Sequence, residues 1–192
     1  MRGEPGHDDR SARFEDIYTG RYQEIAGYVR RRVAPHEADD VVAQVFATAW
    51  RRLDQVPAHP EDRLWLFGVA RRCVADHDRS QRRRLRLGIR LTSDAMTNGV
   101  SPVASDPRCE QVLTAMNALR PADREALQLV LWDELTHAEA AALLGCSVNA
   151  FELRYRRART AVRDAVTGGQ GVTRPDPMAD LRASAPARGN AS

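Results

Sequence analysis

The sequence contains no lysine, little cysteine and no long apolar segment. Its three cysteines, Cys73, Cys109 and Cys146, include no Cys-x-x-Cys pair, so they predict neither a disulfide framework nor a zinc site. No apolar run approaches the roughly 18 residues that a membrane span requires. The first ten residues, MRGEPGHDDR, lack the hydrophobic core of a secretory signal. We therefore expect a cytoplasmic protein that inserts into no membrane.

The motifs of common enzyme classes are also missing. The chain has no glycine-rich phosphate loop, no His-Glu-x-x-His pair and no nucleophile elbow. Its five histidines show no ligand spacing with one another or with cysteine. The sequence therefore predicts no catalytic residue, no metal and no other cofactor, and it indicates a protein that acts by binding.

The arginines, by contrast, are abundant and segregated. All 29 basic residues are Arg, against 26 acids. Residues 63–90 hold nine Arg and two acids, and residues 150–163 hold five Arg and one acid, whereas the segment before each is acidic overall. Each Arg offers a planar fork that suits phosphates and guanine edges. Two basic blocks separated by an acidic one indicate two separate contacts with a polyanion.

Apolar residues recur at spacings of three and four, which predicts an all-α fold of two small helical domains. Amphipathic helices are predicted at residues 13–33, 36–53 and 63–79. They are expected to form a first domain at 13–84, and Pro107 and Pro121 stand where helices of a second domain, at 108–166, should begin. A disordered N-terminus, a flexible linker and a disordered tail are expected at 1–12, 85–107 and 167–192.

Residues 136–159 have the pattern of a helix-turn-helix. Thr136 and Glu139 have the spacing of a capping box, which begins a helix, and Gly145 supplies the left-handed residue that ends it. Ser147 can cap a second helix. The apolar residues of that helix fall on one stripe: Val148, Phe151, Tyr155, Ala158 and Val162. Arginines occupy its other faces, so the second helix is a candidate DNA-binding element.

Four stretches carry a resemblance to a known family. They are FEDIYTGRYQEIAGYVRRR, ADDVVAQVFATAWRRLD, RLWLFGVARRCVADHDR and ALRPADREALQLVLWDELTHAEAAALLGCSVNAFELRYRRAR. In this order they resemble the RNA polymerase sigma factors of the extracytoplasmic-function (ECF) group of the sigma-70 family, which keep only sigma domain 2 and sigma domain 4. The resemblance implies a protein that binds core RNA polymerase and directs promoter recognition, DNA melting and transcription initiation at a limited promoter set.

The resemblance also implies roles for individual residues. The clamp coiled coil of the polymerase's largest subunit would bind the helix that contains Asp39, Asp40, Gln44 and Phe46. The promoter −10 element, with a base flipped from the non-template strand, would be bound by Arg63, Arg72, Asp76, Arg79, Arg82 and Arg83. The −35 element would be bound by Ser147, Asn149, Ala150, Glu152, Leu153, Arg154 and Arg157. Further implied partners are the flap of the second-largest subunit and an anti-sigma factor.

Three positions depart from the family's usual pattern. Ala43-Gln44 stands where Gln-Glu is common, Arg72 replaces a usual Asn, and Glu152 stands where Lys or Arg is common. A carboxylate can accept a hydrogen bond from cytosine N4 but is repelled by phosphate, so Glu152 predicts an unusual −35 preference. The sequence also leaves an alternative open, a stand-alone helix-turn-helix repressor or activator that binds its operators as a dimer.

Overall fold

The protein is all-α throughout the part of the chain that its computed structural model describes, residues 5–86 and 107–168. The helices are α1 (Pro5–Arg30), α2 (Pro35–Arg51), α3 (Asp62–Arg86), α4 (Pro107–Ala118), α5 (Pro121–Leu131), α6 (His137–Leu144) and α7 (Val148–Gly168). A single 3₁₀ turn at Leu53–Gln55 follows α2, and these two ranges contain no strand. The predicted fold class is confirmed.

Helices α1, α2 and α3 pack around an apolar core. Ile25, Val45 and Leu66 are at most 1% exposed, and the ring of Tyr28 meets that of Phe67 edge-on with 5.4 Å between centroids. Burying one such side chain contributes about 1.5–3 kcal/mol. Burial also raises the pKa of Tyr28 to about 12, against the opposing effect of the nearby Arg32 charge. The phenol therefore stays neutral in the core.

The N-terminus differs from the prediction, because residues 5–12 are helical and belong to α1. Arg10 explains the difference: its guanidinium donates to Asp54 Oδ1 at 3.1 Å and to the Trp50 carbonyl at 2.8 Å. The same group lies 5.3 Å from the centroid of the Trp50 ring. These contacts tie the first turns of α1 to the end of α2, a tertiary effect that the polar composition of the segment did not indicate.

Helix α3 is longer than predicted and runs through the arginine-rich segment as far as Arg86. The proposed linker overlaps its end at residues 85–86 and the start of α4 at Pro107. Its remaining residues, 87–106, lie outside the described ranges, as do residues 1–4 and residues 169–192 of the proposed tail. None of the helices that the structure describes is long and apolar enough to cross a membrane.

Helices α4 to α7 form the second packed unit, in which α4, α5 and α6 each contact α7. Phe151, Leu127 and Leu129 are at most 1% exposed at its centre. Pro107 and Pro121 begin α4 and α5 as predicted, since proline at the first helical position removes only an amide that has no helical partner.

The helix-turn-helix forms by the predicted local chemistry. Thr136 Oγ1 accepts a hydrogen bond from the Glu139 amide at 3.2 Å, and Glu139 Oε2 accepts one from the Thr136 amide at 2.8 Å. Gly145 ends α6 with φ of 67°, a left-handed conformation that glycine adopts without strain. Ser147 then caps α7, because its Oγ accepts from the Ala150 amide at 3.2 Å.

Candidate nucleic-acid interface

The second half of α3 presents an exposed basic surface. Arg82 and Arg83 are exposed and form no hydrogen bond or ion pair with any residue of the two described ranges. Arg79 and Asp76 are also exposed and pair with each other one turn earlier. Arg72, likewise exposed, donates only to the Gly68 carbonyl of its own helix, at 3.1 Å. Five of the six residues predicted to contact the −10 element therefore share one accessible helix.

Arg63, the sixth, has a different environment. Its Nε donates to Glu24 Oε2 at 2.6 Å and its Nη2 to the Asp133 carbonyl at 2.8 Å. The guanidinium also lies 5.2 Å from the Phe67 ring centroid, and only 20% of the side chain is exposed. Arg63 is thus held between the two helical units, and in this structure it does not face solvent like the other five.

A cleft of about 730 Å³ opens between α3 and α6. On one wall lie Leu64, Trp65, Gly68 and Arg72; the other wall is formed by α6. The loop before α3 contributes Pro57, Pro60 and Glu61, and α6 contributes Glu139, Ala142 and Leu143. The predicted −10 surface therefore includes an apolar recess with an arginine at its edge, the combination that can receive an unstacked base.

Helix α7 exposes the residues predicted to contact the −35 element. Ser147, Asn149 and Ala150 are exposed, and Leu153 is 42% exposed. Its opposite face buries Phe151, Tyr155 and Ala158 against the other helices. Arg157 is exposed and Arg154 is half-buried, and neither has an ion pair anywhere in residues 5–86 or 107–168. The first turns of α7 can therefore reach base edges while the two guanidinium groups reach phosphates.

Glu152 has a neighbour that sequence reasoning missed. His137 Nδ1, at the start of α6, lies 3.6 Å from Glu152 Oε1. The imidazole ring packs 5.5 Å from Phe151 and 5.0 Å from Tyr155, measured between ring centroids. A contact between the two helices of the motif leaves no periodic signal in the sequence, so no pattern there predicts this pair.

The predicted polymerase-binding residues divide into two groups. Asp39, Asp40 and Gln44 are exposed on α2, and Asp39 Oδ1 lies 3.2 Å from Arg30 Nη2. Phe46 is 3% exposed, and its ring lies 4.7 Å from that of Tyr18. In this structure Phe46 therefore supports α2 from the core, and its part in a polymerase contact stays a prediction. Its spacing from Val42, Val45 and Ala49 places it on the buried face of α2.

A set of ion pairs that the sequence did not indicate joins the two helical units. Arg31 and Arg32, just after α1, bind the two carboxylate oxygens of Asp133, which follows α5. Arg71 Nε donates to Glu125 Oε1 at 2.9 Å, and this bond raises the Arg71 pKa against the opposing effect of burial. These partners are 54 or more positions apart in the chain, so no local pattern predicts them.

Comparisons with known proteins agree with this arrangement. Residues 17–84 match the family described as Sigma-70 region 2, and residues 109–162 match Sigma-70, region 4. The chain is 33% identical over 125 residues to a probable RNA polymerase sigma-C factor of Mycobacterium bovis, covering 65% of this chain and 68% of that one. It is 31% identical to the ECF RNA polymerase sigma factor BldN of Streptomyces coelicolor, over 84% of this chain and 62% of BldN.

Solved structures show the same fold. CnrH, determined in complex with the cytosolic domain of CnrY, aligns with a TM-score of 0.57 and 25% identity over 81% of this chain and 88% of CnrH. The sigma factor RpoE of Bartonella quintana aligns with a TM-score of 0.62 and 20% identity, covering 83% and 99%. A stand-alone helix-turn-helix regulator is not favoured, because residues 17–84 match a sigma region of their own. The chain belongs to the sigma-70 family of RNA polymerase sigma factors, in its extracytoplasmic-function group.

Proposed function

We propose that this sigma factor contacts a promoter through two separate surfaces, one in a domain 2 at residues 13–84 and one in a domain 4 at residues 108–166. The observation that carries the proposal is the order of two sigma regions in one chain, each with exposed arginines that have no partner in the described ranges. Held by core RNA polymerase, the protein would start transcription at a limited promoter set. It acts by binding, in the cytoplasm, without a cofactor or a catalytic step of its own.

Helix α3 is the proposed −10 surface. Arg72, Asp76, Arg79, Arg82 and Arg83 line the route of the non-template strand, with the cleft beside Trp65 as the place for an unstacked base. Taking a base out of the stack costs a few kcal/mol, so stacking and phosphate contacts must offset that cost. Arg63 would join this surface once its present partners release it.

Helix α7 is the proposed −35 surface and would lie in the major groove. Ser147, Asn149, Ala150 and Leu153 would face base edges, while Arg154 and Arg157 bind phosphates. Glu152 would accept a hydrogen bond from a cytosine N4 amine, which adds selectivity but no general affinity for the anionic backbone. In this assignment, one set of residues determines which promoter sequence is preferred, and the two arginines determine the salt-dependent affinity for DNA.

Helix α2 is the proposed polymerase surface, with Asp39, Asp40 and Gln44 on the clamp coiled coil and Phe46 supporting them from the core. The flap of the second-largest subunit is the proposed contact of domain 4. A regulatory partner is also included in the proposal, because CnrH was solved with the cytosolic domain of CnrY. For this chain we propose an anti-sigma factor in that role.

Run-off transcription with purified core polymerase and a genomic promoter library tests the proposal. We expect initiation at a small set of sites that depends on the added chain. The paired variant Arg82→Glu and Arg83→Glu should retain core binding and lose open-complex formation. A matched control is Arg51→Glu with Arg52→Glu, two exposed arginines at the end of α2 far from Asp39 and Asp40. Absence of any initiation with a permissive core would refute the function itself.

A further inference from the structure

The second half of α3 extends beyond the apolar core of its helical unit. Val74, at 8% exposure, is the last described residue of this helix that the core buries. Every side chain from Ala75 to Leu85 is exposed or half-buried, and Leu85, the one large apolar residue of this stretch, is 55% exposed. About three helical turns with the proposed −10 arginines therefore have no buried apolar side chain to fix their direction.

Two hydrogen bonds from α2 hold these turns, and both end on Glu37. Glu37 Oε2 accepts from His77 Nε2 at 3.0 Å, and Glu37 Oε1 accepts from Gln81 Nε2. Because a carboxylate can only accept, the proton of the first bond lies on the imidazole. The side chains of Glu37 and His77 are 24% and 19% exposed, so water competes only partly for these bonds. Glu37, His77 and Gln81 thus form a brace between the start of α2 and the second half of α3.

Among the residues that the structure describes, no other hydrogen bond or ion pair joins residues 75–85 to a second helix. Arg79 pairs with Asp76 of its own helix, and Arg82 and Arg83 bond to no described residue. Like charges three and four positions apart also weaken a helix slightly. The direction of this half of α3 therefore depends on the brace.

The brace and the arginines lie on opposite faces of α3. His77 and Gln81 are four positions apart, and with Val74 they continue the face that the core buries nearer the start of the helix. At about 100° per residue, Arg79 and Arg83 lie roughly 140–180° around the helix from the brace. The brace consequently fixes the rotation of the helix as well as its direction, and it turns both arginines away from α2.

We propose that Glu37 is a positioning residue for the −10 element. Through His77 and Gln81 it holds the second half of α3 so that Arg79 and Arg83 meet the non-template strand together, while Glu37 itself touches no DNA. The proposal rests on the assignment of α3 to the −10 element. Two side chains that bind one strand at the same time need a fixed geometry, and only the fraction of chains with that geometry binds.

The sign of the effect separates this role from simple electrostatics. Removal of a carboxylate near an anionic strand lowers the repulsion, so by itself it strengthens binding. Loss of the brace instead lowers the fraction of chains with a correctly directed α3, and the apparent affinity falls by the same factor. Glu37→Met removes the charge and both acceptors, so it should weaken strand binding about tenfold although the variant is more basic.

Glu37→Gln is the matched variant, because it removes the same charge and keeps the brace. Its amide oxygen accepts from His77, and its amide nitrogen donates to Gln81 once that side-chain amide turns over. Gln and Met have similar helix propensities. Both variants also lose the favourable interaction of Glu37 with the dipole at the start of α2. A difference between the two variants therefore reports the hydrogen bonds alone.

Hydrogen exchange of the full free chain tests the brace without DNA or polymerase. In Glu37→Met the amides of residues 77–85 should exchange about tenfold faster than in wild type, and in Glu37→Gln less than threefold faster. Gln81→Met removes one bond from the α3 side and should act in the same direction, about threefold, which guards against a folding defect at Glu37. Glu15→Met is the control, an exposed carboxylate on α1 without a bond to any described residue.

Strand binding by the holoenzyme measures the consequence for function. The probe is a fluorescent single-stranded oligonucleotide with the non-template −10 sequence of a promoter found by run-off transcription, titrated at saturating core polymerase. Glu37→Met should bind it about tenfold more weakly than wild type, and Glu37→Gln within about threefold. The affinity of both variants for core polymerase should stay within about twofold of wild type, because the exposed residues Asp39 and Asp40 are unchanged.

Several outcomes would overturn the proposal. Wild-type exchange in Glu37→Met would remove the brace, and strand binding that is unchanged or tighter in that variant would remove the positioning role. Equal losses in Glu37→Met and Glu37→Gln would assign the effect to charge, and a parallel loss of core affinity would assign it to the polymerase contact. Failure of run-off initiation would refute the proposed function but leave the exchange comparison intact, so the two failures are distinguishable.

Discussion

Two sets of arginines in the described ranges differ in their partners. Arg21, Arg31, Arg32, Arg63 and Arg71 each bond to a carboxylate, and all five lie on α1, just after it, or in the first half of α3. Arg82, Arg83, Arg154 and Arg157 bond to no residue of the described ranges, and they lie at the end of α3 or on α7. The first group stabilises the fold and the interdomain contact, whereas the second is available to a polyanion.

This difference shows that charge density along the sequence does not identify a binding surface. Arg63 and Arg71 belong to the same basic block as Arg82 and Arg83, yet the first two are neutralised by Glu24 and Glu125. The partners come from distant acidic segments that folding brings against the block. The comparison of paired and unpaired arginines leads to measurable consequences for stability and for DNA binding.

The largest effect is expected on stability, when the variant Asp62→Ala removes the carboxylate that pairs with Arg21. Arg21 donates to both Asp62 oxygens at 2.9 Å, and the two side chains are 13% and 7% exposed. Removing the carboxylate leaves a largely buried guanidinium with only its weaker contacts to Glu24 at 3.5 Å and to His59 Nδ1. The free energy of unfolding should therefore fall by about 3 kcal/mol. Denaturant titration of the full chain measures it. Glu61→Ala, an exposed neighbour, is the control, and equal losses in the two variants would contradict the pairing argument.

The same pair should make stability depend on pH in a defined direction. Burial would raise the pKa of Asp62, but the hydrogen bonds and charge of Arg21 outweigh it, so the net pKa is lowered. The unfolded chain therefore takes up the proton first as the pH falls, and the stabilisation is complete above the usual carboxyl pKa of about 4. It should be lost as the pH falls through the lower folded value, so the difference between wild type and Asp62→Ala should shrink in that range.

The second-largest effect is expected on DNA binding, when two unpaired arginines are removed together in the double variant Arg154→Ala and Arg157→Ala. Loss of two phosphate contacts should weaken binding to any −35 duplex about tenfold to a hundredfold, and should lower the slope of log affinity against log salt by roughly 1.8. Because neither side chain bonds to a residue of the described ranges, the free energy of unfolding should change by less than about 0.5 kcal/mol. Fluorescence anisotropy at several salt concentrations measures the slope.

Arg163→Ala is the control for that pair. Its guanidinium already bonds to Asp164 at 3.1 Å near the end of α7, so we expect little change in affinity or in salt dependence. A salt slope that stayed at the wild-type value in the Arg154 and Arg157 double variant would mean that these groups face water and not phosphate.

Features set by neighbouring residues were predictable from the sequence. The capping box of Thr136 and Glu139, the turn at Gly145 and the cap at Ser147 all occur as predicted, because each needs only groups within three or four positions of one another. Phe46 was assigned by resemblance to the polymerase surface, although the spacing of its apolar neighbours already placed it on the buried face of α2.

Features set by tertiary contact were not predictable. The helical state of residues 5–12 depends on Arg10 reaching Trp50 and Asp54, and the environment of Arg63 depends on Glu24 and Asp133. No single-sequence pattern states which of 29 arginines will meet a carboxylate. The candidate residues on α3 and α7 were therefore identified as a class, while the split between paired and unpaired members required the structure.

Exposed carboxylates also divide into paired and unpaired ones. For the unpaired Asp40 this predicts that Asp40→Arg causes a loss of core-polymerase binding of intermediate size. Asp40 is exposed and has no ion pair in the two described ranges, unlike Asp39, which pairs with Arg30. Charge reversal at a partner-facing position should weaken the binding of core polymerase on the order of tenfold and leave the fold intact. Co-purification and titration with core measure it. Asp16→Arg on α1 is the control, and unchanged core binding by Asp40→Arg would remove α2 from the proposed interface.

The smallest effect is expected at Glu152, whose one ion-pair partner among the described residues is His137. It is 47% exposed and lies 3.6 Å from His137 Nδ1, a separation at which an exposed pair contributes about 0–1 kcal/mol. Glu152→Lys should therefore leave stability nearly unchanged. It should move the preferred −35 base away from cytosine, by the about 1–3 kcal/mol of discrimination that one base contact provides. Selection from a promoter library randomised over the −35 element measures the preference.

The variant His137→Phe tests whether His137 holds the Glu152 carboxylate in place for its contact with a base. The substitution keeps a ring beside Phe151 and Tyr155 and removes the nitrogen that faces Glu152. The preferred base should stay the same while discrimination weakens about twofold, because the carboxylate is then held less firmly. If Glu152→Lys left every base preference unchanged, Glu152 would not face the groove, and the register proposed for α7 would have to rotate toward Asn149 and Leu153.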